Sequence, residues 1–304
     1  MSELRTGGAM SGRQTGATTV ETWRLQLTTA QTGNGRVAYL DAGSGDTVVM
    51  LHGIPTHSYV WRDVSSVVSI GHRVIVPDLA GFGFSEMGDE IDLSPAAQAD
   101  ALMDLLGECD VESLTLVGHD YGALVACELV RRAPDLVERL VLTNTSLRHE
   151  DWSSTSPLNP LTLLKLPGIG EAALKVSRPF MLKQAFALYV AERVRLDDDT
   201  VTMYWTPFEH GFDRTLLRIS REVQLDEDVF HEWKRALHDF TRPSLVVWGA
   251  LDPTFRPDRG QEIARLLPGS RFELFLHSNH FIQEDRPRAL GRLIAAFVEG
   301  RIEP

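Results

Sequence analysis

The strongest chemical pattern in the sequence is the segment from Gly118 to Gly122, which holds His119, Asp120 and Tyr121 between two glycines. It follows a short apolar run and precedes a helical pattern, so it predicts a sharp turn from a strand into a helix. A residue at the tip of such a turn is strained and needs small neighbours two positions away on either side. Asp120 is therefore a candidate nucleophile, although Gly-x-Asp-x-Gly also fits a simple turn with a capping aspartate.

Two further residues could act together with Asp120. Asp252 follows the apolar run that ends at Gly249, and His280 follows the next predicted strand. The order of nucleophile, acid and base, each just past a strand, is that of a catalytic triad in which Asp replaces Ser. A histidine is more often structural, and His280 stands out among ten only because it completes this set.

The loop after another apolar run contains Gly53, Ile54 and Pro55. Its backbone could offer the N–H of Ile54, which together with the N–H of Tyr121 would form an oxyanion hole. His277 and His280 lie three residues apart without a carboxylate at metal-ligand spacing, so we expect no metal site and no cofactor.

The elements that must position these residues alternate along the chain. Helical patterns are predicted from a Ser94 N-cap to about Leu106 and over Tyr121–Arg132, Gln261–Leu267 and Arg286–Val298. The alternation predicts an α/β fold with a mostly parallel, doubly wound sheet. The predicted strands are Val37–Asp41, Thr47–His52, His72–Pro77, Ser113–Val117, Arg139–Thr143, Ser244–Gly249 and Arg271–Leu276.

Residues 146–241 interrupt this alternation, because they contain helical patterns and no convincing strand. The patterns cover Leu161–Leu166, Pro179–Val194 and Thr200–Tyr204. An insertion of this length is too long for a loop, so we expect a helical lid over the carboxyl ends of the strands. The expected domains are a core of residues 19–145 and 242–304 with a cap of residues 146–241. Residues 1–18 lack the apolar stretch of a signal peptide and are expected to form a disordered leader.

Composition limits the partners. The formal net charge is −12, and without an evident Lys/Arg cluster it argues against nucleic acid or an anionic membrane surface. Cys109 and Cys127 lack zinc or redox spacing and make a poor disulfide framework, so a cytoplasmic location is expected. The expected partners are a small-molecule substrate and water. Apolar lid residues suggest an apolar ligand, although they could equally form the core of the lid itself: Leu161, Leu164, Phe180, Met181, Phe186 and Leu188.

From about residue 20 to residue 300 the chain resembles the haloalkane dehalogenase and epoxide hydrolase branch of the α/β-hydrolases. The resemblance implies the α/β-hydrolase fold and a carboxylate nucleophile that attacks an sp³ carbon, displacing a halide or opening an epoxide. Water activated by the histidine then hydrolyses the alkyl-enzyme ester. The matching segments are 51–56, 58–62, 78–85, 118–122 and 280–285, together with Met203-Tyr204, Pro207-Phe208 and 221–223 in the lid, which look more dehalogenase-like.

The leaving group is the open question. Dehalogenases typically follow the nucleophile with Trp and often carry Asn after the His-Gly pair, as halide donors; this sequence has Tyr121 and Ile54 there. A subgroup uses a lid tryptophan instead, for which Trp152 and Trp205 are candidates. Loss of these donors should weaken the departure of a halide.

Epoxide hydrolases need an acid for the opening oxygen, usually lid tyrosines, and the candidates here are Tyr189 and Tyr204. The Tyr121 hydroxyl could serve either leaving group. An epoxide hydrolase acting on an apolar small molecule is therefore the leading hypothesis, narrowly ahead of a haloalkane dehalogenase. Two alternatives stay open: an ester or lactone hydrolase with Asp120 as general base, and a non-catalytic ligand-binding protein on the same scaffold.

Overall fold

Eight strands form one sheet in the structure, a computed structural model that describes residues 19–153, 160–223 and 225–302. The predicted leader lies outside these residues. The strands are β1 (Leu27–Thr32), β2 (Gly35–Ala42), β3 (Thr47–Leu51), β4 (Arg73–Pro77), β5 (Leu114–His119), β6 (Val137–Thr143), β7 (Ser244–Gly249) and β8 (Arg271–Phe275).

The sheet order is β1-β2-β4-β3-β5-β6-β7-β8, and the strands from β4 to β8 are parallel. The predicted α/β fold with a mostly parallel sheet is confirmed. The seven predicted strands correspond to β2–β8, whereas β1 was missed. Its sequence is threonine-rich, and as an antiparallel edge strand it buries only Ala30 and Thr32, so it lacks the apolar run of a central strand.

Helices cover both faces of the sheet. The predicted N-cap at Ser94 is confirmed, because its hydroxyl accepts from the N–H of Ala97 at 3.2 Å. The core helices are α1 (Val20–Arg24), α2 (Arg62–Val68), α3 (Pro95–Glu108), α4 (Tyr121–Arg132), α11 (Pro257–Leu266), α12 (Ile282–Asp285) and α13 (Pro287–Val298). Helices α3 and α4 pack together on one side, and α2 and α13 pack together on the other.

The described chain between β6 and β7, which we call the cap, contains no strand. Its helices are α5 (His149–Ser153), α6 (Ile169–Val176), α7 (Pro179–Phe186), α8 (Asp198–Trp205), α9 (Phe212–Arg221) and α10 (Glu227–Asp239). The prediction of one helix over Pro179–Val194 was wrong, because α7 ends at Phe186. The backbone N–H groups of Ala191 and Glu192 donate to the carboxylate of Asp285 instead of continuing the helix. Residues 160–165 form a 3₁₀ turn (Pro160–Lys165).

A buried ion pair between two core residues, Arg62 in α2 and Glu284 in α12, is joined to the cap by the hydroxyl of Tyr204. Glu284 is fully buried, and its carboxylate accepts hydrogen bonds from both terminal nitrogens of Arg62 at 2.6 and 2.9 Å. It also accepts a hydrogen bond from the hydroxyl of Tyr204 in α8 at 2.5 Å. Because each charge in this cluster has a partner, burial is tolerated and the cap has a fixed attachment. Within the described residues, no helix has the length and apolar character needed to cross a bilayer.

Candidate active site

The turn between β5 and α4 holds Asp120 at φ 53° and ψ −120°, a conformation that residues other than glycine rarely adopt. A Cβ atom on Gly118 would lie 2.6 Å from Cα of Ala123, and one on Gly122 would lie 2.4 Å from the carbonyl oxygen of His52. Both glycines are therefore required, because any side chain would collide with backbone.

The carboxylate of Asp120 sits in the predicted oxyanion hole. The N–H of Ile54 donates to Oδ1 at 2.8 Å, and the N–H of Tyr121 also favours the charged form of this carboxylate. Gly53 allows the two segments to approach, because a Cβ there would lie 2.3 Å from Cβ of Asp120. The hole thus binds an oxygen of the protein's own carboxylate.

His280 lies between two carboxylates. Its Nδ1 is 2.9 Å from Oδ2 of Asp252, and its Nε2 is 3.7 Å from Oδ2 of Asp120. All three side chains are buried. Because Asp120, Asp252 and His280 follow β5, β7 and β8, which are parallel, the carboxyl edge of the sheet brings them together.

Asp252 is held by groups that the sequence analysis did not single out. The amide of Asn144 donates to its Oδ2 at 2.7 Å, and the N–H groups of Thr254 and Phe255 donate to its Oδ1 at 2.8 and 3.1 Å. Asn144 has a φ of 43° directly after β6. Its position after a predicted strand was the available signal, since polar residues there face the same edge of the sheet.

Burial and charge shift the pKa values of the site in defined directions. Burial raises the pKa of the Asp120 carboxyl, and His280 together with the N–H groups of Ile54 and Tyr121 opposes this. Burial by itself disfavours the charged form of His280, but attraction to Asp252 and then to Asp120 outweighs it and raises the pKa of the imidazole above 6.5. Esterification of Asp120 would remove one of the two negative neighbours, so the ring would then favour its neutral, basic form.

A cavity of about 870 Å³ opens over Asp120 and His280. Its wall is mostly apolar and includes Leu164, Met181 and Phe186 from the cap. Of the other lid residues expected to suggest an apolar ligand, Phe180 and Leu188 are exposed instead, and the side chain of Leu161 lies outside the described residues. The cavity falls within the size range of small-molecule sites.

Two tyrosines expected to contact the leaving group have their hydroxyls directed elsewhere. Tyr204 does not line the cavity; it is buried against Phe186 and donates to Glu284, so the expectation for it was wrong. The hydroxyl of Tyr121 donates to the carbonyl oxygen of Leu93. Only the backbone N–H of Tyr121 acts on the carboxylate of Asp120, so the expected role of its hydroxyl was also wrong.

The two tryptophans line the cavity, but both indole N–H groups are already bound. Trp152 donates to the carbonyl oxygen of Ser146 at 2.8 Å, and Trp205 donates to Glu209 at 3.2 Å. In this conformation neither indole offers a hydrogen bond to a departing halide.

Tyr189 is the remaining predicted residue, and it lines the cavity next to His280. Its ring lies edge-on to His280 with centroids 6.0 Å apart, and its hydroxyl interacts with the side chain of Thr254. Burial raises the pKa of the phenol, so it is protonated at neutral pH. The loop of His280 holds the segment of Tyr189 in position, because the N–H of Phe281 donates to the Tyr189 carbonyl at 3.2 Å.

These features define an α/β-hydrolase, and the comparisons with known proteins agree: the chain belongs to the α/β hydrolase fold family, whose profile matches residues 46–287. It falls in the haloalkane dehalogenase branch of that family. A haloalkane dehalogenase of Mesorhizobium japonicum is 31% identical over 86% of this chain and 87% of its own length. The crystal structure of haloalkane dehalogenase DbeA from Bradyrhizobium elkani matches with a TM-score of 0.80 at 27% identity, over 90% of this chain and 97% of that one.

A relative named for a different activity has nearly the same sequence identity to this chain. The cis-3-alkyl-4-alkyloxetan-2-one decarboxylase of Shewanella oneidensis is 29% identical over 82% of this chain and 81% of its own length. The relatives of this chain therefore include enzymes whose names state different substrates, and the leaving group has to be argued from this site.

Proposed function

We propose that this enzyme forms an alkyl-enzyme ester on Asp120 and hydrolyses it with water activated by His280. The observation that carries the proposal is that the N–H of Ile54 donates to Oδ1 of Asp120 itself, while the N–H of Tyr121 also favours the charged form of this carboxylate. When water attacks the ester carbon, the negative charge develops on a carboxyl oxygen of Asp120, which these donors already bind.

The same contacts argue against an ester or lactone hydrolase with Asp120 as general base. In that mechanism the oxyanion forms on the substrate carbonyl, which needs the hole for itself. Here the hole is filled by Asp120. Attack by a carboxylate on an acyl carbon would moreover give an anhydride, whereas attack on an sp³ carbon gives an ester that water can cleave.

The leaving group that this site supports best is the oxygen of an epoxide. As the Asp120 carboxylate forms its bond to carbon, the ring C–O bond breaks and the hydroxyl of Tyr189 gives its proton to the ring oxygen. His280 then takes a proton from water as the hydroxide adds to the ester carbon, and it returns that proton to the departing alcohol. Because the hydroxide adds to the ester carbon, Asp120 is released as a carboxylic acid. Its proton passes to the Tyr189 phenolate and restores the phenol, and the product is a diol.

None of the residues predicted to stabilise a departing halide offers a hydrogen-bond donor comparable to the Tyr189 hydroxyl. Both indoles are bound to other acceptors, and Ile54 has no side-chain donor. Haloalkane dehalogenase is nevertheless the second candidate, because similarity to the dehalogenases of Mesorhizobium and Bradyrhizobium favours it. A rotation of Trp152 or Trp205 would be needed to supply an indole N–H.

The deciding experiment uses His280→Ala, which should form the ester but not release it. Intact-protein mass is measured after exposure to a panel of terminal epoxides and of bromoalkanes, with Asp120→Asn as the control that cannot form the ester. An adduct with the whole mass of the epoxide is the expected result. An adduct that lacks the halogen, formed in preference, would replace the proposal by a dehalogenase. No adduct from either panel would overturn the ester mechanism.

A further inference from the structure

The cap carries a large share of the exposed apolar surface. Thirteen large apolar side chains are exposed in the described chain, and seven of them lie between Leu163 and Leu188. Clustered apolar side chains on a surface mark contact with another molecule or with lipid. Five of these seven residues belong to the 3₁₀ turn at 160–165, to α6 and to α7, which also contribute to the wall of the cavity, whereas Leu166 and Leu188 lie just outside these elements.

The exposed face adjoins the cavity. In α6, Ile169 and Val176 are seven residues apart, so they lie on one face, and they are 52% and 60% exposed. The neighbouring face of α6 carries Ala173 and Leu174, which line the cavity. In α7, Phe180 is 65% exposed and directly precedes Met181, which lines the cavity. An apolar surface therefore extends from the protein exterior to the site.

The charge of this region opposes that of the whole chain. Residues 160–188 contain four Lys or Arg residues and one Glu, although the chain has a net charge of −12. Glu171 is paired with Arg221, and Lys183 is paired with Asp198. Lys175 and Arg178 are exposed and form no ion pair with a described carboxylate; Arg178 donates only to backbone carbonyls. The total charge, which predicted no attraction to an anionic surface, conceals this cationic patch.

We infer that this surface, the outer faces of α6 and α7 with the 3₁₀ turn before them, binds the interface of an anionic phospholipid bilayer. Exposed apolar side chains enter the acyl boundary while Lys175 and Arg178 contact the headgroups. An apolar substrate dissolved in the lipid then reaches Asp120 through the adjoining cavity without passing through water. This inference does not depend on whether the substrate carries an epoxide or a halide.

A second copy of the chain fits the surface less well. Two-fold pairing through this face would bring the cationic groups of one copy against those of the other, which costs free energy. It would also cover Met181, which is 40% exposed and lines the cavity. An anionic bilayer complements the charge and supplies an apolar phase, so it satisfies both features of the surface.

The test is cosedimentation of the full chain with vesicles of phosphatidylglycerol and phosphatidylcholine in equal parts, and with pure phosphatidylcholine, at about 0.1 M salt. The double variant Val176→Glu/Phe180→Glu changes exposed residues that do not line the cavity. Ile70→Glu is the matched control, because Ile70 is 86% exposed on the core. We expect the double variant to lower partitioning onto the anionic vesicles about tenfold, whereas the control changes it less than about twofold.

A second variant, Lys175→Glu/Arg178→Glu, covers the case in which the first does not fold; it should reduce binding to anionic vesicles far more than binding to neutral ones. Wild-type protein that stays in the supernatant with anionic vesicles would overturn the inference. The inference would also be overturned if Ile70→Glu lost as much vesicle binding as Val176→Glu/Phe180→Glu. A wild-type dimer in sedimentation velocity that Val176→Glu/Phe180→Glu converts to a monomer, without vesicle binding, would assign the surface to a second copy instead.

Discussion

Nε2 of His280 lies 3.7 Å from Oδ2 of Asp120, which is beyond the range of a direct hydrogen bond. The other ring nitrogen is fixed by Asp252 at 2.9 Å, so the imidazole cannot turn to close that gap. A base in this position can act on a water molecule beside the Asp120 carboxyl carbon without being bound to the nucleophile. The distance therefore fits a carboxylate that attacks unaided and a histidine that acts in the second step.

Asp120→Asn should lower kcat on the order of 10³-fold or more, because an amide is a poor nucleophile. The fold should persist, since the amide occupies the same volume. Asp89→Asn, on the exposed loop before α3, is the control. Activity and intact mass are followed together for days, because slow hydrolysis of the amide would restore Asp. Full activity without a change in mass would exclude Asp120 as the nucleophile.

Ester hydrolysis should depend on pH through His280. The neutral imidazole is the base of the second step; burial lowers its pKa, and Asp252, together with Asp120 until that carboxylate is esterified, raises it. Where ester hydrolysis limits the rate, kcat should therefore be low in acid and rise as the pH increases through the pKa of His280 in the ester. Asp252→Asn removes the first of these attractions, so the rising limb should move to lower pH while kcat falls about 10²- to 10⁴-fold. If the rising limb of Asp252→Asn stays at the pH of the wild type, the limb reports the titration of a group other than His280.

The substitution Tyr189→Phe tests whether the leaving group is the oxygen of an epoxide or a halide. If the phenol donates to the opening ring oxygen, its loss should reduce turnover of epoxides on the order of 10²-fold. Ester formation from a bromoalkane needs no proton and should change less than about threefold. Tyr204→Phe is the matched control, because that phenol contacts Glu284 outside the cavity. Equal losses with both substrate classes would mean that Tyr189 only shapes the cavity.

The sequence sufficed to predict the residues at the edge of the sheet. Asp120, Asp252 and His280 each follow a short apolar run, and parallel strands necessarily bring their carboxyl ends to one edge. The spacing of Gly118 and Gly122 predicted a tight turn whose steric need is visible in the structure. The order of the strands and the geometry of the backbone determine these positions. They could therefore be predicted without knowing how the side chains pack.

The cap could not be predicted to the same depth. Its helices are short, and a pattern of apolar residues does not tell which face meets the cavity; Tyr204 and Tyr189 looked equivalent, yet only Tyr189 lines it. The segment that follows α7 is held by Asp285, almost a hundred residues away, whose carboxylate accepts from the N–H groups of Ala191 and Glu192. A contact of that kind leaves no local signal in the sequence.

Asp285 should be important for the attachment of the cap. Its buried carboxylate accepts from the N–H groups of Ala191 and Glu192 in the cap and from that of Asn279 next to His280, at 2.7–2.9 Å. Asp285→Ala would leave these donors without an acceptor and should cost about 3 kcal/mol of unfolding free energy. The melting temperature should fall by roughly 5–10 °C. Asp89→Ala, an exposed carboxylate, is the comparison, and an equal melting temperature for both variants would show that Asp285 contributes nothing to cap attachment.

Gly53→Ala should inactivate the enzyme while a matched glycine substitution does not. A Cβ at position 53 would lie 2.3 Å from Cβ and 2.4 Å from Oδ1 of Asp120, so the loop of Ile54 must move away from the carboxylate. Displacing the N–H of Ile54 by about 1 Å should lower kcat on the order of 10²-fold. Gly88→Ala is the control, because a Cβ there meets nothing within 4 Å. Both kcat and the melting temperature are measured, since overpacking also costs roughly 1–3 kcal/mol of stability. If Gly53→Ala keeps wild-type kcat, the Ile54 donor is not needed for the rate-limiting step, and the oxyanion-hole argument for the ester mechanism loses its support.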